Sequence, residues 1–243
     1  MTTIPCLRVE ESEGLAREVY DEIMRTYDLK EPRESYMVMG HTPEHLAASW
    51  KRSIFLFGSR TTISLKDKHL LTLAVSAFNG SEYCVRGHAD RVRQLGATNA
   101  QLSEMMLAVS MVSGASKRII MTCPTKPGAS PYIPAPGTLD RRNDQRFESA
   151  TERLAHLCFE TEGSLGLLMK HSVGYAVAAA ASSERLVAYH GARLKELGVS
   201  DETLTEILLI VDLVCGYNRY GQGVQVGPPV SFGAKAAANT VAG

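Results

Sequence analysis

Cys84 and His88 stand four residues apart in the run SEYCVRGH (81–88). On a helix this spacing puts a thiol and an imidazole on one face, one turn apart. Cys84 falls in the first turn of such a helix, where the helix dipole and a nearby imidazolium favour the thiolate. That is the layout of an activated nucleophile. The same spacing equally suits a small core residue beside a hydrogen-bonded structural histidine, because free cysteine is among the most buried residue types. Ser81 and Tyr83 add two hydroxyls to the same segment. His69 and His171, each preceded by lysine, are placed to meet His88 and His190 across a helical hairpin, which gives one imidazole pair per hairpin. Such a pair can relay protons. A metal centre is not expected, since no third ligand recurs at helical spacing with the histidines and no two cysteines lie two to four residues apart. Arg91 and Arg193, three residues beyond each histidine, suit either a bidentate grip on a substrate carboxylate or an ion pair with Glu104 and Glu206 on the next helix.

The elements that must carry these residues read as helices throughout, with no convincing strand alternation. Leu15, Val19, Ile23 and Tyr27 form one apolar stripe. Thr42-Pro43 opens a second helix, proline being tolerated at the first helical position, and that helix carries Leu46, Trp50, Ile54 and Phe57. Ser64 with Asp67 forms a capping box for a helix over about 65–78. Another helix runs over about 81–95, closed by Gly96 as a left-handed cap. Thr98 with Gln101 opens a Met-rich helix to about Ser116, in which Met105, Met106 and Met111 read as core first and as a pocket wall second. Five of the ten prolines fall between Thr122 and Arg146, which marks a linker. The tail after Gly221 reads as an extended or frayed arm.

The second half of the chain repeats the first at an offset of 102 residues without a gap. Between Leu65 and Gly114, 19 of 50 positions are identical to their counterparts, so one helical hairpin has been duplicated. His69 matches His171, His88 matches His190 and Arg91 matches Arg193, while Cys84 is replaced by Leu186. The histidine is kept without the thiol, so it has a use of its own. The expected organisation is a first repeat over 1–122, a linker over 123–146 and a second, degenerate repeat with the C-terminal tail over 147–243. Neither hairpin can cover its own apolar face, so the two tandem repeats are expected to pack as a pseudo-dimer.

Composition sets outer bounds. The 243 residues carry 26 basic and 26 acidic side chains, a balance that gives no reason to expect nucleic acid or an anionic membrane as partner. No apolar stretch reaches the roughly 18 residues of a membrane span, and the N-terminal residues lack a secretory pattern. Five unpaired cysteines at irregular spacing suit reduced thiols in a cytoplasm.

The stretch LKDKHLLTLAVSAFNGSEYCVRGHADRVRQLGAT resembles the AhpD-like, or carboxymuconolactone decarboxylase, family, and YMVMGHTPEHLAASWKRSIFLFG resembles the helices that precede that segment. The resemblance rests on Tyr83, Cys84, His88, Arg93 and the Gly96-Ala97-Thr98 ending, and it implies an all-α fold. It also implies a small-molecule substrate, no cofactor and a homo-oligomer, as a trimer or hexamer-like ring. In redox members two cysteines cycle through a disulfide while a glutamate and a histidine move protons. Here the first cysteine is Ser81 and the glutamate is His69, so a peroxidised Cys84 has no local resolving thiol, unless Cys215 reaches it. Three functions follow as expectations. The first is a cofactor-free lyase or isomerase acting on a small carboxylate or lactone through His69 and His88, with Ser81 and Tyr83 as hydroxyl donors and Arg91, His171 and His190 binding substrate. The second is a one-cysteine, thiol-dependent alkyl hydroperoxide peroxidase using Cys84. The third is a non-catalytic ligand-binding or scaffold protein.

Overall fold

The structure is a computed structural model that describes residues 2–58, 62–121, 131–132 and 145–225, with side chains omitted at 118–121 and 145–146. Ten α-helices carry these residues, and no strand occurs among them. They are α1 (Gly14–Tyr27), α2 (Glu34–Met39), α3 (Pro43–Gly58), α4 (Leu65–Phe78), α5 (Glu82–Gln94), α6 (Asn99–Met121), α7 (Gln145–Phe159), α8 (Leu167–Ala180), α9 (Glu184–Glu196) and α10 (Asp201–Val224).

Local chemistry sets the boundaries. The Ser64 hydroxyl accepts from the Asp67 amide at 3.2 Å and starts α4. Thr98 and Gln101 cap α6 reciprocally, each side chain accepting from the other's amide at 3.1–3.2 Å. After α5 the chain turns through Gly96 at φ 81°. The Ala97 amide then donates to Val92 and the Gly96 amide to Arg93, both at 2.9 Å, the paired bonds of a left-handed helix ending. Gly198 repeats this turn after α9 at φ 84°.

The chain divides into two compact units, one made of Met1–Ala97 with Asp212–Gly243 and the other of Thr98–Val211. Each unit therefore holds one histidine hairpin, α4–α5 or α8–α9, together with helix from the other repeat: the C-terminal part of α10 in the first, α6 in the second. In the first unit Trp50 is 1% exposed and meets Tyr27 and Tyr36 edge-on at 5.5 and 5.9 Å. The Tyr20 hydroxyl lies so close to Gly40 that a Cβ there would overlap it. In the second unit every residue of α8 from Met169 to Ala178 is buried, which is why this helix shows no amphipathic stripe.

Several expectations change. The buried stripe of α1 is Ala16, Val19, Tyr20 and Ile23, whereas Leu15 is exposed at 39%. The short helix α2 was not anticipated. α10 continues past Gly221 to Val224, and the rest of the expected tail lies outside the described residues, as does most of the proline-rich stretch. The arginine–glutamate locks are not formed. Glu104 instead accepts from Lys170 and from the Ser164 and Leu165 amides, while Arg193 pairs with Glu160 and Glu196. The lysine before each hairpin histidine is enclosed: Lys170 pairs with Glu104 and Lys68 donates to the Leu56 carbonyl. Arg91 donates to Gln94 at 3.2 Å.

Candidate active site

In the first unit, α4 and α5 bring His69 and His88 together as their spacing implied, with the two Nδ1 atoms 2.9 Å apart. Phe57 from α3 stacks on the His69 ring at 5.0 Å and 27°. The pair borders a cavity partly open to solvent, whose described lining residues all belong to the first unit. Tyr83 and Cys84 share its wall with His88, and Tyr217 and Asn218 of α10 face them. Among the described residues of the lining none is a carboxylate, and Arg33, at the start of α2, is the single lysine or arginine. Its guanidinium lies 5.8 Å over the Tyr27 ring.

Burial fixes the charge states. It lowers His69 well below the usual imidazole value, with His88, Arg91 and Arg33 adding repulsion. Burial, with a smaller contribution from Arg33, pushes His88 down to about 3. Both rings are neutral near pH 7, because the walls that enclose them exclude the water an imidazolium needs. One proton is then shared between the two Nδ1 atoms, and Nε2 of half-buried His88 has no hydrogen-bond partner among the described residues. The surroundings of Cys84 oppose an activated thiolate, one of the two readings open to it. Burial raises its thiol above the ordinary range and outweighs hydrogen bonds from Ser81, Asn218 and Ser76. Its histidine neighbour is uncharged and so gives the thiolate no electrostatic help. The Tyr83 hydroxyl is enclosed close to Ser35.

The second unit closes its equivalent pair. His171 and His190 approach Nδ1 to Nδ1 at 3.0 Å, and His171 Nε2 lies 2.9 Å from the Phe159 carbonyl. A carbonyl only accepts, so that Nε2 carries the proton and His171 Nδ1 must accept from His190 Nδ1. His190 Nε2 is thereby an acceptor, and the Tyr132 hydroxyl donates to it. Every ring nitrogen has a protein partner, and both histidines are 0% exposed. Gly174 makes room for this, since a Cβ there would stand 2.3 Å from the His190 ring. Its counterpart in the first unit is Thr72, which lines the cavity.

Of the residues singled out in the sequence, His69, His88, Cys84 and Tyr83 therefore line one cavity. Ser81 is buried at the N-terminus of α5, where it bonds Cys84 without reaching the lining. Arg91 is 3% exposed and also stands behind the lining, and His171 and His190 are sealed in the second unit. Cys215 accepts from Asn79 at 3.4 Å, and Asn79 also donates to Asn218 at 2.9 Å. Sequence reasoning missed Arg33, Phe57 and Asn218. Phe57 had a signal, because Phe159 repeats it at the same 102-residue offset. Among the described residues no cluster of His, Cys, Asp or Glu could hold a metal, and no helix is long and apolar enough to cross a membrane.

The family model for the carboxymuconolactone decarboxylase family matches residues 45–118 and again 145–226. The chain belongs to the carboxymuconolactone decarboxylase family. Its two matched segments carry the two histidine hairpins, α4–α5 and α8–α9, and thus the duplication read from the sequence. A comparison with curated protein sequences finds no match. Among solved structures, one similar chain is a provisionally named gamma-carboxymuconolactone decarboxylase subunit from Burkholderia xenovorans LB400, at TM-score 0.64 and 19% identity over 86% of this chain and 94% of that one. Another is an uncharacterized peroxidase-related protein with an alkylhydroperoxidase AhpD core from Ralstonia eutropha JMP134, at TM-score 0.58 and 13% identity over 93% and 92%. These likenesses establish the all-α AhpD-like fold of this family member.

Proposed function

We propose that the first unit is a cofactor-free lyase or isomerase site for a small carboxylate or lactone, with His88 as the acid–base group and His69 as its partner. The observation that carries this reading is the His69–His88 pair, whose open Nε2 faces a cavity containing an arginine and no carboxylate. Arg33 supplies the positive charge that an anionic substrate, or an enolate oxygen developing from it, requires. A neutral imidazole is suited to take a proton and return it. The substrate enters with its carboxyl proton, and His88 Nε2 accepts that proton as the carboxylate forms. The carbon–carbon bond then breaks, carbon dioxide departs, and the bonding electron pair remains on carbon as an enolate. The imidazolium, disfavoured by burial, returns its proton to that carbon. Returning a proton taken from one carbon to a different carbon would be isomerisation by the same groups.

One observation favours a second reading, the one-cysteine peroxidase: Cys84 lies on the same cavity wall, near Ser81, Ser76 and Asn218. The raised thiol weighs against it. The test is a panel of small lactone carboxylates and β-keto acids, followed by carbon dioxide release and by deuterium incorporation in heavy water. His88→Gln is expected to cut turnover by at least 100-fold, on the scale of general acid–base catalysis, while Cys84→Ser retains it within about threefold. Peroxide turnover that Cys84→Ser abolishes, without carbon dioxide release from any substrate, would sink the lyase reading. A cytoplasmic location and a trimeric or hexameric ring belong to the same proposal, and light scattering of the purified protein tests the latter.

A further inference from the structure

We infer that the first-unit cavity takes a planar ring bearing a hydroxyl donor, a phenol or cyclic enol, with the hydroxyl on His88 Nε2 and the ring against Phe57. The chain itself supplies the template. In the second unit the phenol of Tyr132 occupies the place a ligand would take: its hydroxyl donates to His190 Nε2, and its ring stacks on Phe159 at 5.2 Å and 12°. The Tyr189 ring meets it edge-on at 6.0 Å, and Tyr132 is only 2% exposed. Phe57, His69 and His88 are the counterparts of Phe159, His171 and His190 at one constant offset. Both histidine pairs keep the same Nδ1-to-Nδ1 contact, at 2.9 and 3.0 Å. What differs is the occupant. The second unit fills the acceptor nitrogen with its own phenol, and the first leaves the equivalent nitrogen facing a cavity lined by Phe57 and His88.

The replacements around the pair agree with this division. Gly174 leaves the space in which the His190 ring is fully enclosed, while Thr72 carries a Cβ at the equivalent position and His88 is half-buried at the cavity wall. Tyr189, which closes one side of the Tyr132 ring, is replaced in the first unit by Gly87. The first-unit cavity thus keeps the imidazole and the Phe57 ring on its wall and lacks the counterpart of one flanking ring. A carboxylate there would find Arg33. The inference rests on reading this cavity as the substrate site, but it is tested by binding alone, without turnover.

The probe is p-cresol, the side chain of tyrosine, titrated into the full-length protein labelled with 13C-histidine and followed by NMR. The His88 resonances are expected to shift saturably, with p-cresol at least tenfold tighter than toluene or 4-methylanisole, which lack the donor. His88→Leu should reduce p-cresol to the affinity of toluene. In Tyr132→Ala the emptied second-unit site should bind as well, so that the His190 resonances respond to p-cresol there and not in the wild type. Equal affinity for toluene and p-cresol in the wild type, or no saturable shift of His88, overturns the inference, as does a folded Tyr132→Ala protein whose His190 ignores p-cresol. Carbon dioxide assays that fail while p-cresol binds as described would remove the lyase reading and leave the ligand class standing.

Discussion

Lowering the pH from 7.5 to 5.5 should destabilise this protein through its buried histidines by an amount that can be worked out. His69, His88 and His190 are all held well below 6.5, chiefly by burial. Below pH 6.5 the unfolded chain therefore binds protons that the folded chain refuses. Stability is complete above about pH 7 and falls as the pH drops from 6.5 toward the folded-state values. At pH 5.5 each group that stays neutral in the fold costs about 1.4 kcal/mol, whatever its depth below that pH. The three together cost about 4 kcal/mol, and His171, lowered by burial against partial support from Glu160 and the Phe159 carbonyl, adds a smaller amount in the same direction. That is a large share of a total stability of roughly 5–15 kcal/mol. Urea unfolding at the two pH values measures it. In a His69→Gln/His88→Gln variant only His190 and His171 remain, and the loss should shrink to about 1.4 kcal/mol plus the smaller share of His171. Equal stability at both pH values, or an undiminished loss in the double variant, would show that the pairs are not held neutral by the fold.

Two further perturbations probe the site and its scaffold. Arg33→Ala should raise KM for a carboxylate substrate by roughly 10–100-fold, the loss of one charge-assisted contact, and should remove the preference for the acid over its methyl ester; Arg33→Lys recovers part of both, and an unchanged KM would detach Arg33 from the substrate. Glu104→Ala strands the Lys170 ammonium, 4% exposed, with the Thr161 carbonyl as its remaining partner among the described residues; a loss of roughly 3–5 kcal/mol is expected in calorimetric or chemical unfolding, and a loss below about 1 kcal/mol would mean that water reaches the lysine.

The fold was legible because its punctuation is local. Ser64, Thr98 and Gly96 each act within a few residues of themselves, so α4, α5 and α6 start or stop where capping chemistry places them. The meeting of His69 with His88 was legible for a related reason, since a short hairpin leaves two facing helices few registers. What failed was whatever depends on distant chain. Asn218 reaches the cavity from α10, well over a hundred residues from Cys84, and no periodicity within α4 or α5 announces it. Leu15 misled because one apolar residue extends a stripe on paper without having a partner in the core. The sequence left the thiol open between two readings, because helix position and a nearby histidine argue for a thiolate, whereas burial, which no spacing reveals, acts on both groups and disfavours the charged form of each.

Duplication gave this chain two copies of one histidine pair, and a single small residue separates their fates. At Gly174 a Cβ would stand 2.3 Å from His190 Cε1 and 2.5 Å from Nε2, well inside any tolerated contact. The helix backbone fixes that Cβ, so the imidazole must give way. The motion pulls Nε2 from the Tyr132 hydroxyl and Nδ1 from His171, two links of a chain whose direction is set by the Phe159 carbonyl. Gly174→Ala should therefore combine overpacking with stranded polar groups, roughly 2–4 kcal/mol in all, even though alanine is the better helix former by about 1 kcal/mol. The decisive readout is the histidine NMR spectrum, where the His190 signal should become responsive to solvent and to p-cresol while that of His88 is unchanged. A Gly174→Ala protein as stable as the wild type, with His190 still silent, would mean that the ring is held by something other than the space glycine leaves. The difference between a sealed pair and an open one would then have to lie in Tyr132 alone.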